Sequence, residues 1–213
     1  MKWQINYALQ ALNDGLGRSE AEHLSGEIIK ISTQGKPDVI AAISDTITIN
    51  KEIVEHYAQL TPNIDFLCGY RKECVWEGDA ITLLEANCIG WGNYGTLSSA
   101  VTSGNANIAE HKTFSFAARL IHQYGIVKSA KREYDRVFRV KLKSGREFRV
   151  GMIEAYEPTA DNVRSLWQRF GPVDIAWNIN PNGTPSKSSQ RAGEELGCKV
   201  LKTEGLKAYM QSL

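Results

Sequence analysis

The chain has little of what would assign it to a specialised class. Cysteine is sparse: Cys68, Cys74, Cys88 and Cys198 are the four in 213 residues. They form no CxxC and no Cys/His cluster, which excludes the usual zinc-ligand spacing, and thiols without a pairing pattern point to a reducing cytoplasm. Histidine is confined to His23, His56, His111 and His122, too dispersed for a Ser-His-Asp or Cys-His arrangement. No apolar run reaches the length of a membrane span, and the opening MKWQINYALQALNDG lacks the long apolar stretch of a signal peptide. The expectation is a cytoplasmic protein with no membrane partner.

Strong net charge is also missing, because the value is +1. That near-balance hides a division. Residues 1–112 hold 8 basic and 14 acidic residues, a net −6, whereas residues 113–213 hold 17 and 10, a net +7. Such asymmetry suits one half facing a polyanion, or two halves that attract each other, and it leaves the acidic half available to a protein partner.

The basic half is organised around Lys128–Tyr156, KSAKREYDRVFRVKLKSGREFRVGMIEAY. Phe138, Val140 and Leu142 alternate with Arg139, Lys141 and Lys143, and Phe148, Val150 and Met152 alternate with Glu147, Arg149 and Gly151. A period of two over both runs, joined at Lys143-Ser144-Gly145-Arg146, predicts a hairpin with one buried face and one cationic face. Pairing Leu142 with Phe148, Val140 with Val150 and Phe138 with Met152 makes the apolar face continuous. Lys128, Lys131, Arg132, Arg139, Lys141, Lys143 and Arg149 are the candidate phosphate contacts, and Tyr134 and Tyr156 the candidate stacking rings. The partner expected from this pattern is nucleic acid.

Along the rest of the chain, periodicity predicts a helix over Asn6–Leu12 closed by Gly15-Leu16-Gly17, strands over Glu27–Thr33 and Val39–Ile49, and a helix capped by Asn50 and running to Leu60. A strand over Ile64–Gly69, a helix over Gly78–Ala86, a strand over Cys88–Trp91 and a helix over Thr96–Val101 follow. TSGNANIAEH, Thr102–His111, has a linker's composition. Thereafter the order repeats: helix Phe114–Gln123, strand Ile126–Tyr134, the hairpin, helix Asp161–Phe170, strand Val173–Ile179, helix Ser189–Leu196, strand Cys198–Leu201 and helix Gly205–Met210. Sliding the chain on itself by about 110 positions aligns these elements. At 110, Gly35 meets Gly145 and Cys88 meets Cys198; at one less, Ile64-Asp65 meets Val173-Asp174 and Tyr7-Ala8 meets Phe116-Ala117. The expected fold is α/β, as two similar αβββαβαβ units over 1–103 and 112–213, each a mixed central sheet flanked by helices.

The second unit resembles the restriction-endonuclease-like fold, particularly its Mrr-type branch. The resemblance lies in the leading helix, the acidic residue at the start of the hairpin, EAYEPTADNVRSL, the strand VDIAWNI and the tail SQRAGEELGCKVLKTEGLKAYM. It implies a bacterial or phage setting, with roles in restriction, repair or counter-defence, and a pseudo-dimer of nuclease-like units acting on DNA more than on RNA. It also implies Mg²⁺ held between an Asp at the start of one strand and a Glu or Gln on the next, with a Lys two residues on. Asp135 and Glu154 match the two carboxylates, as catalytic and metal-binding residues of a phosphodiesterase, but the lysine position is Tyr156. The first unit offers Ser25 or Gly26 and Ser44 or Asp45 at the matching positions, so it is expected to be non-catalytic.

Two further readings stand beside this one. Asp135 and Glu154 serve equally as strand-end charges paired with Arg132, Arg136 or Arg139. Asn178, Asn180, Asn182 and Gly183, at the carboxyl end of a buried strand, suit a nucleotide or small anion held between the units. On that alternative the protein is a non-enzymatic binding protein without cofactor. Trp76, Trp91, Trp167 and Trp177 are expected in the core.

Overall fold

VIAAIS, Val39–Ser44, is apolar at nearly every position, as a strand covered on both faces must be. It is β3, the central strand of the first of two five-stranded sheets. The computed structural model describes residues 2–15 and 19–213. The chain is α/β, in two compact units, Met1–Lys112 and Thr113–Leu213.

Unit 1 begins with α1 (Trp3–Asn13), β1 (Ser19–Ser25) and β2 (Ile28–Thr33), which precede β3. After it come β4 (Thr48–Ile49), α2 (Lys51–Leu60), β5 (Phe66–Gly69), β6 (Val75–Trp76), α3 (Gly78–Ala86), β7 (Gly90–Gly92) and α4 (Tyr94–Ser103). The sheet order is β1-β2-β3-β5-β7, with β2 antiparallel to both β1 and β3, and β5 and β7 parallel to β3. Alternation along β2 separates the two faces. Ile29 and Ile31 pack with Ile5, Ala8 and Leu12 of α1 and Leu97 of α4, while Ile28 joins Val54 of α2 and Ile81 of α3. Each isoleucine, leucine or valine among them contributes roughly 1.5–3 kcal/mol by leaving water. The Asn50 side chain caps α2 by accepting from the Ile53 amide at 3.0 Å.

Unit 2 runs α5 (Lys112–Gln123), β8 (Val127–Tyr134), β9 (Val137–Leu142), β10 (Glu147–Ile153), α6 (Ala160–Phe170), β11 (Ile175–Asn178), α7 (Lys187–Leu196), β12 (Lys199–Leu201) and α8 (Thr203–Gln211). Its order, β8-β9-β10-β11-β12, repeats that of unit 1 in sequence and sense. First residues 28 and 137, 66 and 175, 90 and 199, and 94 and 203 all differ by 109. Register follows the same offset: Ala41 lies opposite Phe66, and Val150 opposite Ile175. So do single bonds. Asp65 accepts from the Ile40 amide at 2.8 Å and Asp174 from the Arg149 amide at 2.6 Å. The backbone therefore selects the slide of 109, and the partner of Cys88 is Gly197 rather than Cys198. Both residues take the left-handed conformation, with φ of 54° and 75°. A side chain there costs energy that glycine does not. Cys88→Gly is accordingly expected to raise the stability of unit 1 by about 0.5–1 kcal/mol, seen as a higher urea midpoint.

Four expectations from the sequence need correction. The hairpin register is two residues tighter than apolar matching suggests: Val140 faces Phe148 and Phe138 faces Val150. A three-residue loop decides it, closed by Leu142 N–H to the Arg146 carbonyl at 2.8 Å with Gly145 at φ 90°. A shift of two leaves every side chain on its expected face. Second, Ser19–Ser25 is an edge strand that alternation does not reveal, because both of its faces are largely exposed. Third, the strand expected through Ile49 ends at Ser44, and only Thr48–Ile49 resumes, pairing with Val75–Trp76. Last, Thr102–His111 is not a loose linker. The Trp91 amide donates to the Ala109 carbonyl at 2.8 Å, and Ala106 is buried, so this segment covers the open edge of β7. Of the expected Gly15-Leu16-Gly17 breaker, Leu16 and Gly17 lie outside the described residues. Trp76, Trp91 and Trp177 are buried, and Trp167 is half-buried.

Candidate nucleic-acid interface

β8 and β9 meet in the two-residue turn Asp135-Arg136, which places both residues beside the carboxyl end of β10; the Met152 amide donates to the Arg136 carbonyl at 2.8 Å. Asp135 is 1% exposed, and its two oxygens accept from Arg136 Nε at 2.9 Å and Nη2 at 2.7 Å. The guanidinium lies over the Phe114 ring, 4.6 Å from its centroid, with Phe170 on another side at 5.9 Å. Glu154 has a different partner, the Thr113 hydroxyl at 3.1 Å. Arg136 and Glu154 line an open cleft of about 180 Å³ with Asn162, Ser165, Arg169 and Phe170, and Asp135 is not part of that lining.

This arrangement does not fit the Mg²⁺ site that the resemblance implies. A cation bound by Asp135 would have to displace a guanidinium held through two charge-assisted hydrogen bonds. Among the described residues, no group of three or more His, Cys, Asp or Glu is placed to hold a metal ion. We derive no metal-dependent step at Asp135 and Glu154.

The seven candidate phosphate contacts do not form one surface. Paired residues of an antiparallel ladder share a face. Lys131 opposite Arg139, and Arg139 opposite Arg149, therefore lie on one face with Lys141, which pairs with Ser129 and Glu147. Arg132 is opposite Phe138 and lies over its ring at 5.4 Å, on the other face. Lys128 sits at a register irregularity near the start of β8, and Lys143 lies in the hairpin loop. Several of these cations are internally balanced. Glu133 binds Arg139 at 2.7 Å and Arg149 at 2.6 Å, and Glu147 binds Lys141 at 2.6 Å. Lys141 holds the Glu147 carboxyl below its usual range by its hydrogen bond and its charge. Lys128, Lys131, Lys143 and Arg146 are exposed. Of the two candidate rings, Tyr134 packs on Phe170 with centroids 5.0 Å apart, whereas Tyr156 is 73% exposed.

Unit 1 holds a cluster that residue patterns did not reveal. Glu27 and Asp45 occupy the positions of Arg136 and Glu154, 109 residues earlier. Lys2 Nζ lies 2.9 Å from Glu27 and 3.5 Å from Asp45, Gln4 Nε2 donates to Glu27 at 3.3 Å, and the Tyr57 hydroxyl donates to the other Glu27 oxygen. Burial, reinforced by that bond, pushes the Tyr57 phenol well above its ordinary range, and the Glu27 bond raises the Lys2 ammonium. The same corner of the fold thus carries an arginine in unit 2 and, in unit 1, two carboxylates that share the single Lys2 ammonium. The only sequence signal was the offset itself, once set at 109. Asn178, Asn180 and Asn182 form a self-bonded turn, with the Asn180 amide on Asn178 Oδ1 at 3.2 Å and the Asn182 amide on Asn180 Oδ1 at 3.0 Å.

No family model matches the chain, and neither a curated protein nor a solved structure matches it. Among the described residues, no helix is long and apolar enough to cross a membrane.

Proposed function

We propose that the chain is a nucleic-acid-binding protein built from two nuclease-like modules, that DNA is its preferred partner, and that unit 2 is the module that meets phosphates. The observation that carries this reading is the hairpin's charge: nine Lys or Arg against Glu133, Asp135 and Glu147 over residues 128–149, with Lys128, Lys131, Lys143 and Arg146 exposed. The ion pairs at Arg139, Arg149 and Lys141 reduce the local field without removing the excess. Cations spaced along strands neutralise phosphates independently of sequence, and each contact releases condensed counterions. Hydrolysis at Asp135 and Glu154 is left out of the proposal because Arg136 occupies the aspartate.

A salt titration of a fluorescent DNA oligonucleotide tests it. Affinity is expected to fall steeply with salt, and Lys131→Ala/Lys143→Ala is expected to lower the log–log slope by about 1–2. These two lysines are better probes than Arg139 and Lys141, whose removal also frees Glu133 and Glu147. No binding at low salt, or a slope indifferent to the double change, would overturn the reading.

A further inference from the structure

Trp3 and Tyr7 sit one turn apart on α1, away from the face that Ile5, Ala8 and Leu12 bury. Their side chains are 57% and 56% exposed, and both rings meet Tyr70, the residue after β5, edge to face. Centroids lie 5.5 Å and 6.2 Å apart, with planes at 79° and 68°. Tyr94, the first residue of α4, meets Tyr70 in the same way, at 6.2 Å and 70°. The Tyr70 amide donates to the Ser44 carbonyl at 2.9 Å, so the four rings gather where the parallel strands β3 and β5 end and β7 gives way to α4. Ligands favour that edge of an α/β sheet. Edge contact, unlike stacking, leaves ring faces uncovered. The Tyr7, Tyr70 and Tyr94 hydroxyls have no hydrogen-bond partner among the described residues. Unit 2 has Lys112, Phe116, Ile179 and Thr203 at these four positions, so the shared backbone does not require the cluster.

Exposed rings of this kind can stack on bases or hold cations. Charge decides between the two. Lys2, next to Trp3, is shared by Glu27 at 2.9 Å and Asp45 at 3.5 Å. Arg71, next to Tyr70, donates through Nε to the Asp45 carbonyl at 3.1 Å. Two cations against two carboxylates leave this corner without a positive excess, and residues 1–112 carry a net −6. A base arrives with phosphates, which that charge repels, whereas a cation is drawn to it. Among cationic side chains, the planar guanidinium stacks on ring faces and donates N–H bonds that free phenol oxygens accept. From the four-ring contact at the carboxyl edge of an acidic unit, we propose that unit 1 docks a segment of a partner protein through an arginine seated on Trp3, Tyr7 and Tyr70. The site lies within unit 1 and stands whether or not unit 2 binds DNA.

Anisotropy of a labelled peptide of alternating arginine and glycine, added to the full chain at low salt, tests the proposal. The same peptide with citrulline for arginine keeps the shape and removes the charge. The wild-type chain is expected to bind the arginine peptide and to bind the citrulline peptide far more weakly. Trp3→Ala/Tyr7→Ala is expected to weaken arginine-peptide binding about tenfold. Trp3→Phe/Tyr7→Phe, which keeps both rings, is expected to stay within about threefold of wild type. Both side chains are more than half exposed, so circular dichroism is expected to show folded variants. A labelled thymidine strand is expected to bind the alanine variant as it binds the wild type. No binding of the arginine peptide, equal binding of the citrulline peptide, or affinity indifferent to the alanine changes would overturn the site. Loss of strand binding in the alanine variant with peptide binding kept would assign the rings to bases instead, and would overturn it too.

Discussion

Arg136→Ala is expected to lower the stability of unit 2 by about 3–5 kcal/mol, the cost of stranding a buried charge. Asp135 is 1% exposed, and both of its oxygens accept from the one guanidinium. Without that cation the carboxylate keeps its burial and loses its compensation. The Phe114 ring, 4.6 Å from the guanidinium, loses a packing partner as well. A second substitution separates the charge term from the packing term. Asp135→Asn/Arg136→Met removes both charges and keeps much of the volume, so it is expected to be more stable than Arg136→Ala alone. Hydrogen exchange of the β9 and β10 amides in the full chain isolates unit 2 from unit 1. Protection in Arg136→Ala within 1 kcal/mol of wild type, about fivefold in exchange rate, would show that the pair is not a clamp. Asp135 would then again be open to a metal.

Gly90→Ala is expected to destabilise unit 1 by about 3 kcal/mol or more. A Cβ built there would sit 1.8 Å from the Ala106 carbonyl oxygen, 3.0 Å from that of Ala109 and 2.8 Å from the Phe66 ring. Two of these neighbours are main chain, so relief requires the segment covering β7 to move as a whole. That movement strains the bond from the Trp91 amide to the Ala109 carbonyl and opens the edge of the sheet to water. Gly95→Ala is the matched control. Its nearest neighbour would be Asn93 Oδ1 at 3.4 Å, at the start of α4. The change is therefore expected to be neutral or to add up to about 1 kcal/mol of helix preference. Urea denaturation followed by tryptophan fluorescence reports both. A Gly90→Ala midpoint equal to that of Gly95→Ala would mean that the covering segment is not packed as described.

The elements legible in the sequence were those whose burial imposes a period. Phe138, Val140 and Leu142 declared β9, and Val54 and Tyr57 helped to declare α2 after its Asn50 cap. β1 stayed hidden because an edge strand with two wet faces, SEAEHLS, has no apolar alternation to show. The hairpin register was set by loop closure at Gly145, which outweighs a choice between two equally apolar pairings. Of the candidate site, the acidic residue at the strand start and the cationic hairpin were visible. Its decisive contact was not. Neighbouring side chains on an extended strand point apart, and only the tight turn at Asp135-Arg136 lets Arg136 fold back onto Asp135. Glu133 likewise reaches Arg139 and Arg149 next to the irregularity between Arg132 and Tyr134, a feature that no spacing rule encodes.

Two sheets of identical register within one polypeptide carry a hazard during synthesis, since a strand of one half can be accepted by the other before both are complete. Side-chain volume guards against that exchange. Cys68 and Trp177 are the same position 109 residues apart, as are Trp91 and Val200, and all four are buried. A trespassing strand would force an indole into a thiol's space or leave a void where an indole belonged. Divergence of the interior thus gives each half of the nascent chain a preference for its own sheet.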